Sequence, residues 1–156
     1  MDQSEGFGQR CAALEDDLVA RDRATARLWH HWFHEKGITG LEVLQRSQQL
    51  LDRQEFEAAE VVLCDLIAER PDFAEAWNRR ATLRYLQGRY RQSLADCQVV
   101  VRLVPYHFGA LHGMGLCHAA LGELREAIQA FHRALEVQPH AQINRVLMLE
   151  CTAKLS

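Results

Sequence analysis

The sequence predicts an all-α protein built from repeated helical hairpins. Its only three prolines, Pro71, Pro105 and Pro139, stand 34 residues apart. Gly88 and Gly122 keep that interval, with Gln54 at the equivalent earlier place. Ser47, Ala81 and Gly115 share it, and so do Ala59, Ser93 and Ala127. Self-similarity at a fixed period of roughly 20–50 residues marks a stacked repeat architecture.

Each unit reads as helix, tight turn, helix and proline turn, in copies spanning 40–73, 74–107 and 108–141. Proline lacks an N–H and clashes with the preceding turn, so it separates one unit from the next. Glycine accepts the positive φ that often ends a helix. Small residues on the two facing helices let a hairpin close tightly, while Trp77, Leu103, Phe131 and Leu135 are expected to fill the space between units. No copy buries its apolar faces alone, so stacking is obligatory.

The ends differ from the repeats. Residues 1–39 are expected to form a helical extension, with Cys11, Leu14, Leu18, Leu28, Trp29 and Trp32 near one face over 9–36. Arg21 interrupts that face, and a break near Asp22 would make "RATARLWHHWFHEKG" the second helix of a degenerate repeat. Either way Trp29, Trp32 and Phe33 are expected to cover the first repeat. Residues 142–156 are expected to be a C-terminal capping helix, with Ile143, Val146, Leu147 and Cys151 inward and Arg145, Glu150 and Lys154 toward water.

Composition sets limits on function. With 48% hydrophobic and 25% charged residues the chain is globular. A net charge of −3 gives no support for a nucleic-acid partner. No apolar run approaches the roughly 18–20 residues that cross a bilayer, and "MDQSEGFGQR" lacks the order of a secretory signal, so a soluble cytoplasmic chain without a membrane partner is expected. Five scattered cysteines without a C-x-x-C pair predict free thiols.

The stretches "AEAWNRRATLRYLQGRYRQSLADCQVVVRLVP" and "GALHGMGLCHAALGELREAIQAFHRALEVQP" resemble tetratricopeptide repeats, whose Trp, Leu-Gly, Tyr, Ala, Phe, Ala and Pro occur at set places. The third copy fits best, through Met114-Gly115, Ala127, Phe131, Ala134 and Pro139. The second keeps Trp77 and Pro105 but has Arg84 at the Tyr place and Val100 at a small one. The region from "AEAWNRRAT" to "HFGALHGMG" is also similar to small stand-alone bacterial repeat proteins. The resemblance implies a right-handed solenoid of three repeats between an N-terminal helix and a C-terminal capping helix. It also implies a non-catalytic adaptor that binds a protein or peptide in a concave groove.

Carrying the groove positions over gives Leu44, Gln48 and Leu51 in the first copy, Asn78, Thr82 and Tyr85 in the second, and His112, Leu116 and Ala119 in the third. A subset of these repeats grips chaperone carboxyl termini with Lys, Asn and Arg. Leu44, Gln48, Arg79, Gly109 and Gly113 occupy those places here, which speaks against such a clamp. The comparatively apolar groove requires a partner, self-association into a homo-oligomer, or the N-terminal helix to cover it.

Chemical motifs are few. His30 and His34 share a helix face at i, i+4 and present a metal-ligand pair, but no third ligand is fixed, so no metal is expected. Cys117 and His118 are adjacent on a helix and point about 100° apart, which places Cys117 in packing rather than nucleophilic catalysis. No phosphate loop, nucleophile elbow or H-E-x-x-H occurs, so neither an enzyme nor a cofactor is expected; the competing class is a metal- or thiol-dependent catalyst using His30, His34 or Cys117. Arg79, Arg80, Arg84, Arg89 and Arg91 form a basic run that offers RNA or an acidic partner a contact. The alternative is internal pairing of Arg80 and Arg84 with acids such as Asp65 or Asp96, because a desolvated guanidinium requires a partner.

Overall fold

A computed structural model describes residues 40–156, and the expectations that fall on residues 1–39, including His30 and His34, lie outside the described residues. The described helices are α1 (Gly40–Asp52), α2 (Phe56–Glu69), α3 (Ala74–Leu86), α4 (Tyr90–Leu103), α5 (Phe108–Ala120), α6 (Leu124–Val137) and α7 (Gln142–Leu155), with no strand among the described residues. They fall into two compact units, one ending at Pro71 and the other running from Asp72 to Ser156. The starts of α1, α3, α5 and α7, at 40, 74, 108 and 142, repeat every 34 residues.

The turn inside each hairpin follows from its chemistry. Gly88 and Gly122 stand at φ 74° and 77°, and Gln54 takes the same left-handed conformation at φ 60°. In each case the next amide reaches back five residues: Glu55 N to Leu50 O at 2.8 Å, Arg89 N to Arg84 O at 2.8 Å and Glu123 N to His118 O at 2.9 Å. This is the Schellman arrangement, which satisfies carbonyls left open at a helix end. Between hairpins, Pro105 and Pro139 each occupy the second position of a turn closed by His107 N to Val104 O at 3.0 Å and Ala141 N to Gln138 O at 3.1 Å, where a fixed φ is favourable.

The small residues set how closely the helices of a hairpin approach. Ser47, Ala59, Ala81, Ser93 and Ala127 are at most 2% exposed. Ser93 Oγ donates to the Ala81 carbonyl at 2.7 Å, tying α4 to α3. A Cβ on Gly115 would collide with the Phe131 ring, so α5 and α6 pack closely only because glycine stands there. In the second unit one core gathers Ala81, Cys97, Val100 and Ala110 with half-buried Trp77 and Met114, and another gathers Ala127, Phe131 and Cys151 with Leu147 and Met148.

Arg80 and Arg84 lie inside this packing at 3% and 0% exposure. Arg80 Nε and Nη2 donate to Asp96 Oδ2 and Oδ1 at 3.1 and 3.0 Å, and Arg84 Nη1 donates to Asp96 Oδ2 at 2.7 Å. The expected internal pairing with Asp96 is therefore present. The Arg80 guanidinium also lies 4.9 Å from the centre of the Trp77 ring.

Two packing expectations require correction. Leu103 is 39% exposed and fills no gap, because it lies in the last turn of α4 beside the proline turn. Ile143 and Val146 are 55% and 49% exposed rather than inward. The buried stripe of α7 is instead Asn144, Leu147, Met148 and Cys151, at i, i+3, i+4 and i+7. Asn144 takes the inward place because its Oδ1 lies 2.6 Å from His112 Nδ1 on α5.

Candidate functional site

The first helices of the hairpins carry the residues assigned to a groove. In the first unit, Leu44 and Leu51 are 3% and 8% exposed, which corrects their placement on an open wall. They share with Ser47 and Leu50 the apolar stripe that α1 must bury, and leucine has no reason to stay in water where such a stripe exists. Gln48 is half-buried, and its amide donates to Asp52 Oδ1 at 2.8 Å.

In the second unit α3, α5 and α7 run in phase. Thr82 is exposed and donates to its own helix at Asn78 O over 3.1 Å, leaving its oxygen lone pairs toward solvent. Asn78 is half-buried, and Nδ2 makes a long 3.4 Å contact to Glu75 Oε1. Tyr85 packs at 5.4 Å between ring centres against Tyr90, and burial followed by nearby Tyr90 and Cys117 raises its hydroxyl above the ordinary phenol value. His112 stacks on Phe108 at 6.2 Å and meets Phe131 at 6.1 Å. Leu116 and Ala119 are half-buried against the Phe131 core, so they give support and only a partial surface.

α3 is held to α5 at its first turn. His107 caps α5 by accepting from Ala110 N at 3.1 Å through Nδ1, which leaves Nε2 to donate to Glu75 Oε2 at 3.2 Å. The equivalent join between α5 and α7 is the contact of His112 with Asn144.

Extending the interval of 34 residues past α5 identifies what the sequence analysis missed. Val146 follows Asn78 and His112 in phase, and Ile143 follows Glu75 and Gly109. Ile143 and Val146 are both exposed, at 55% and 49%. The signal was present, since Phe108 plus one period falls on Gln142.

The basic run is not an open cationic surface. Arg79 pairs with Glu75 at 3.2 Å, Arg80 and Arg84 are buried on Asp96, Arg89 bonds to Gln87 and Gln92, and Arg91 pairs with Glu123. His118 Nδ1 also reaches Glu123 Oε2 at 2.7 Å, and its hydrogen bond, aided by Arg91, holds the Glu123 carboxyl below the usual range. Cys117 is fully buried, as a packing role requires. No group of three potential metal ligands converges among the described residues, and no described helix is long and apolar enough to cross a membrane.

Comparison with known proteins agrees with this architecture. The Tetratricopeptide repeat family model matches residues 109–141. A TPR repeat-containing protein of Rhizobium etli is 37% identical over 97 residues, covering 62% of this chain and 48% of that protein, so the chain spans about half the length of this relative. Among solved structures, the first TPR of Spaghetti (RPAP3) bound to the HSP90 peptide SRMEEVD has a TM-score of 0.72 at 18% identity, covering 74% of this chain and 91% of that one. MamA from Desulfovibrio magneticus RS-1 has a TM-score of 0.71 at 16% identity, covering 93% and 85%. Helical hairpins recurring in phase, with tight turns at Gly88 and Gly122 and small residues at the hairpin contacts, give this chain the fold of tetratricopeptide repeat domains, and its residues 109–141 match that family's model.

Proposed function

We propose that the chain is a non-catalytic interaction module that holds a peptide or helix of a partner protein along the face formed by α3, α5 and α7. Asn78 and Thr82 supply hydrogen-bonding groups for a peptide backbone, and Tyr85, His112, Leu116, Ala119 and Val146 supply the apolar and aromatic part. The carrying observation is the in-phase series Asn78, His112, Val146 on α3, α5 and α7, each with a partly open side chain. Fold likeness to a domain solved with a bound peptide supports this reading.

The partner is not a chaperone carboxyl terminus held by a charge clamp. Gly109 and Gly113 carry no side chain, and Arg79 is engaged by Glu75. Binding is therefore expected to respond weakly to salt, whereas an RNA contact through the basic run would weaken steeply. Photo-crosslinking tests the surface: a crosslinker at Thr82 captures a partner, and one at Arg133, exposed on the second helix of the third hairpin, does not. Equal capture at both sites, or none at Thr82, refutes the proposal.

A further inference from the structure

Two buried thiols meet between the second and third hairpins. Ser93 and Cys97 share a face of α4, and Gly113 and Cys117 share a face of α5, each pair one turn apart. Cys117 Sγ donates to Ser93 Oγ at 3.3 Å. Cys97 Sγ lies 3.1 Å from the point where a Gly113 Cβ would stand. The two helix faces thus interleave along this stretch, with Cys117 against Ser93 and Cys97 against Gly113, and glycine leaves room beside Cys97. Cys97 and Cys117 are 2% and 0% exposed.

We propose that Cys97 and Cys117 are a disulfide-forming pair, oxidised by a peroxide to a reversible bond that staples the second hairpin to the third. Cys151 does not compete, since it packs in the separate core around Phe131 and Ala127.

The surroundings assign an order to the chemistry. The hydrogen bond shared with Cys117, reinforced by burial, pushes the Cys97 thiol far up, so Cys97 keeps its proton. The same bond lowers the Cys117 thiol. Cys117 therefore attacks first. Its thiolate takes one peroxide oxygen, the O–O bond breaks, and the departing oxygen leaves as water after protonation, giving a sulfenic acid on Cys117. The Cys97 sulfur then attacks the Cys117 sulfur. The S–S bond forms, the S–O bond breaks, and the hydroxyl leaves as a second water with the proton of Cys97. Two thiols are oxidised by two electrons, and one peroxide is reduced to two waters. Because both sulfurs are shielded, reaction waits for local opening and is slow.

The full chain is treated with excess hydrogen peroxide, digested without reductant and mapped by mass spectrometry. A linked peptide pair containing Cys97 and Cys117, lost on adding dithiothreitol, supports the proposal. The oxidised chain should melt roughly 5–10 °C higher, since a cross-link restricts the unfolded chain. In Cys97→Ala, a dimedone adduct should appear on Cys117, whereas Cys117→Ala should leave Cys97 unlabelled. Recovery of both residues as alkylatable thiols after full peroxide exposure overturns the proposal, as does linkage to Cys11, Cys64 or Cys151 instead. A linked chain that melts no higher than the reduced one overturns the stapling. The mapping uses the wild-type chain, so it stands even if a variant fails to fold.

Discussion

Replacing Asp96 by Asn tests whether the buried arginines are held by charge or merely tolerated. Asp96 is 2% exposed and accepts hydrogen bonds from Arg80 Nε and Nη2 and from Arg84 Nη1. Asparagine has nearly the same shape, so packing is preserved and the electrostatic contribution is isolated. Its amide nitrogen turns donors toward guanidinium donors, and the remaining oxygen carries no full charge. Hydrogen bonds to charged groups contribute about 1.5–3 kcal/mol each, and breaking a buried ion pair costs about 3–5 kcal/mol, so the lower figures cannot simply be summed. A loss of about 3–5 kcal/mol is expected against a typical total of about 5–15 kcal/mol. For a chain of this size that lowers Tm by roughly 6–20 °C. Urea unfolding followed by helical circular dichroism measures it, and added salt should leave the difference nearly unchanged because the charges are shielded from ions. A loss below about 1 kcal/mol with an unchanged fold would refute the reasoning, since a pair worth so little is behaving as if solvated.

Gly115→Ala should cost about 1–3 kcal/mol, because the added methyl meets the Phe131 ring, and Phe131→Leu in the same chain should recover part of that loss; calorimetric melting of the single and double variants checks it. Glu123→Gln should lower stability at neutral pH by no more than about 1 kcal/mol, because Glu123 is partly exposed and its gain from His118 and Arg91 is screened. Its folded carboxyl titrates below its unfolded value, so the contribution is full above the unfolded value and disappears as pH falls through the depressed one. Urea unfolding of wild type and variant at several pH values should show the two converging in acid.

Much of the fold was legible because the repeat imposes the same physical demand at each period. Gly88 and Gly122 announce a left-handed turn from their type alone, and Gln54 became readable there only through its phase, since glutamine gives no sign that it will adopt φ 60°. Ser93 and Ala127 mark the close hairpins as small residues that are fully buried. The wall residues were harder to place. Leu44 and Leu51 hold groove positions by register, yet their apolar area drives them into the packed stripe of α1. At α7 the opposite happened: hydrophobicity suggested that Ile143 and Val146 point inward, but Asn144 is drawn in by His112 and rotates the buried stripe away from them. One hydrogen bond between residues 32 apart decided that face, and amphipathic pattern carries no information about such a partner.

The fate of the arginines bears on the kind of ligand that the proposed binding face would suit. Five cations between Arg79 and Arg91 suggest an anion-binding surface when counted, but charge attracts a partner only where it remains exposed and uncompensated. Arg80 and Arg84 sit in the core on Asp96, Arg91 is held by Glu123, and Arg79 faces Glu75 on its own helix. A ligand carboxylate or phosphate would have to displace these carboxylates, regaining little beyond what was lost. The neighbouring α5 adds no cation at Gly109 or Gly113, and α7 adds exposed Ile143 and Val146. In the proposed binding mode, affinity on this face comes from apolar burial, at about 25 cal/mol per Å² removed from water, with Asn78 and Thr82 fixing register through hydrogen bonds. An apolar segment presenting backbone groups on one side meets both requirements, and an anionic terminus meets neither.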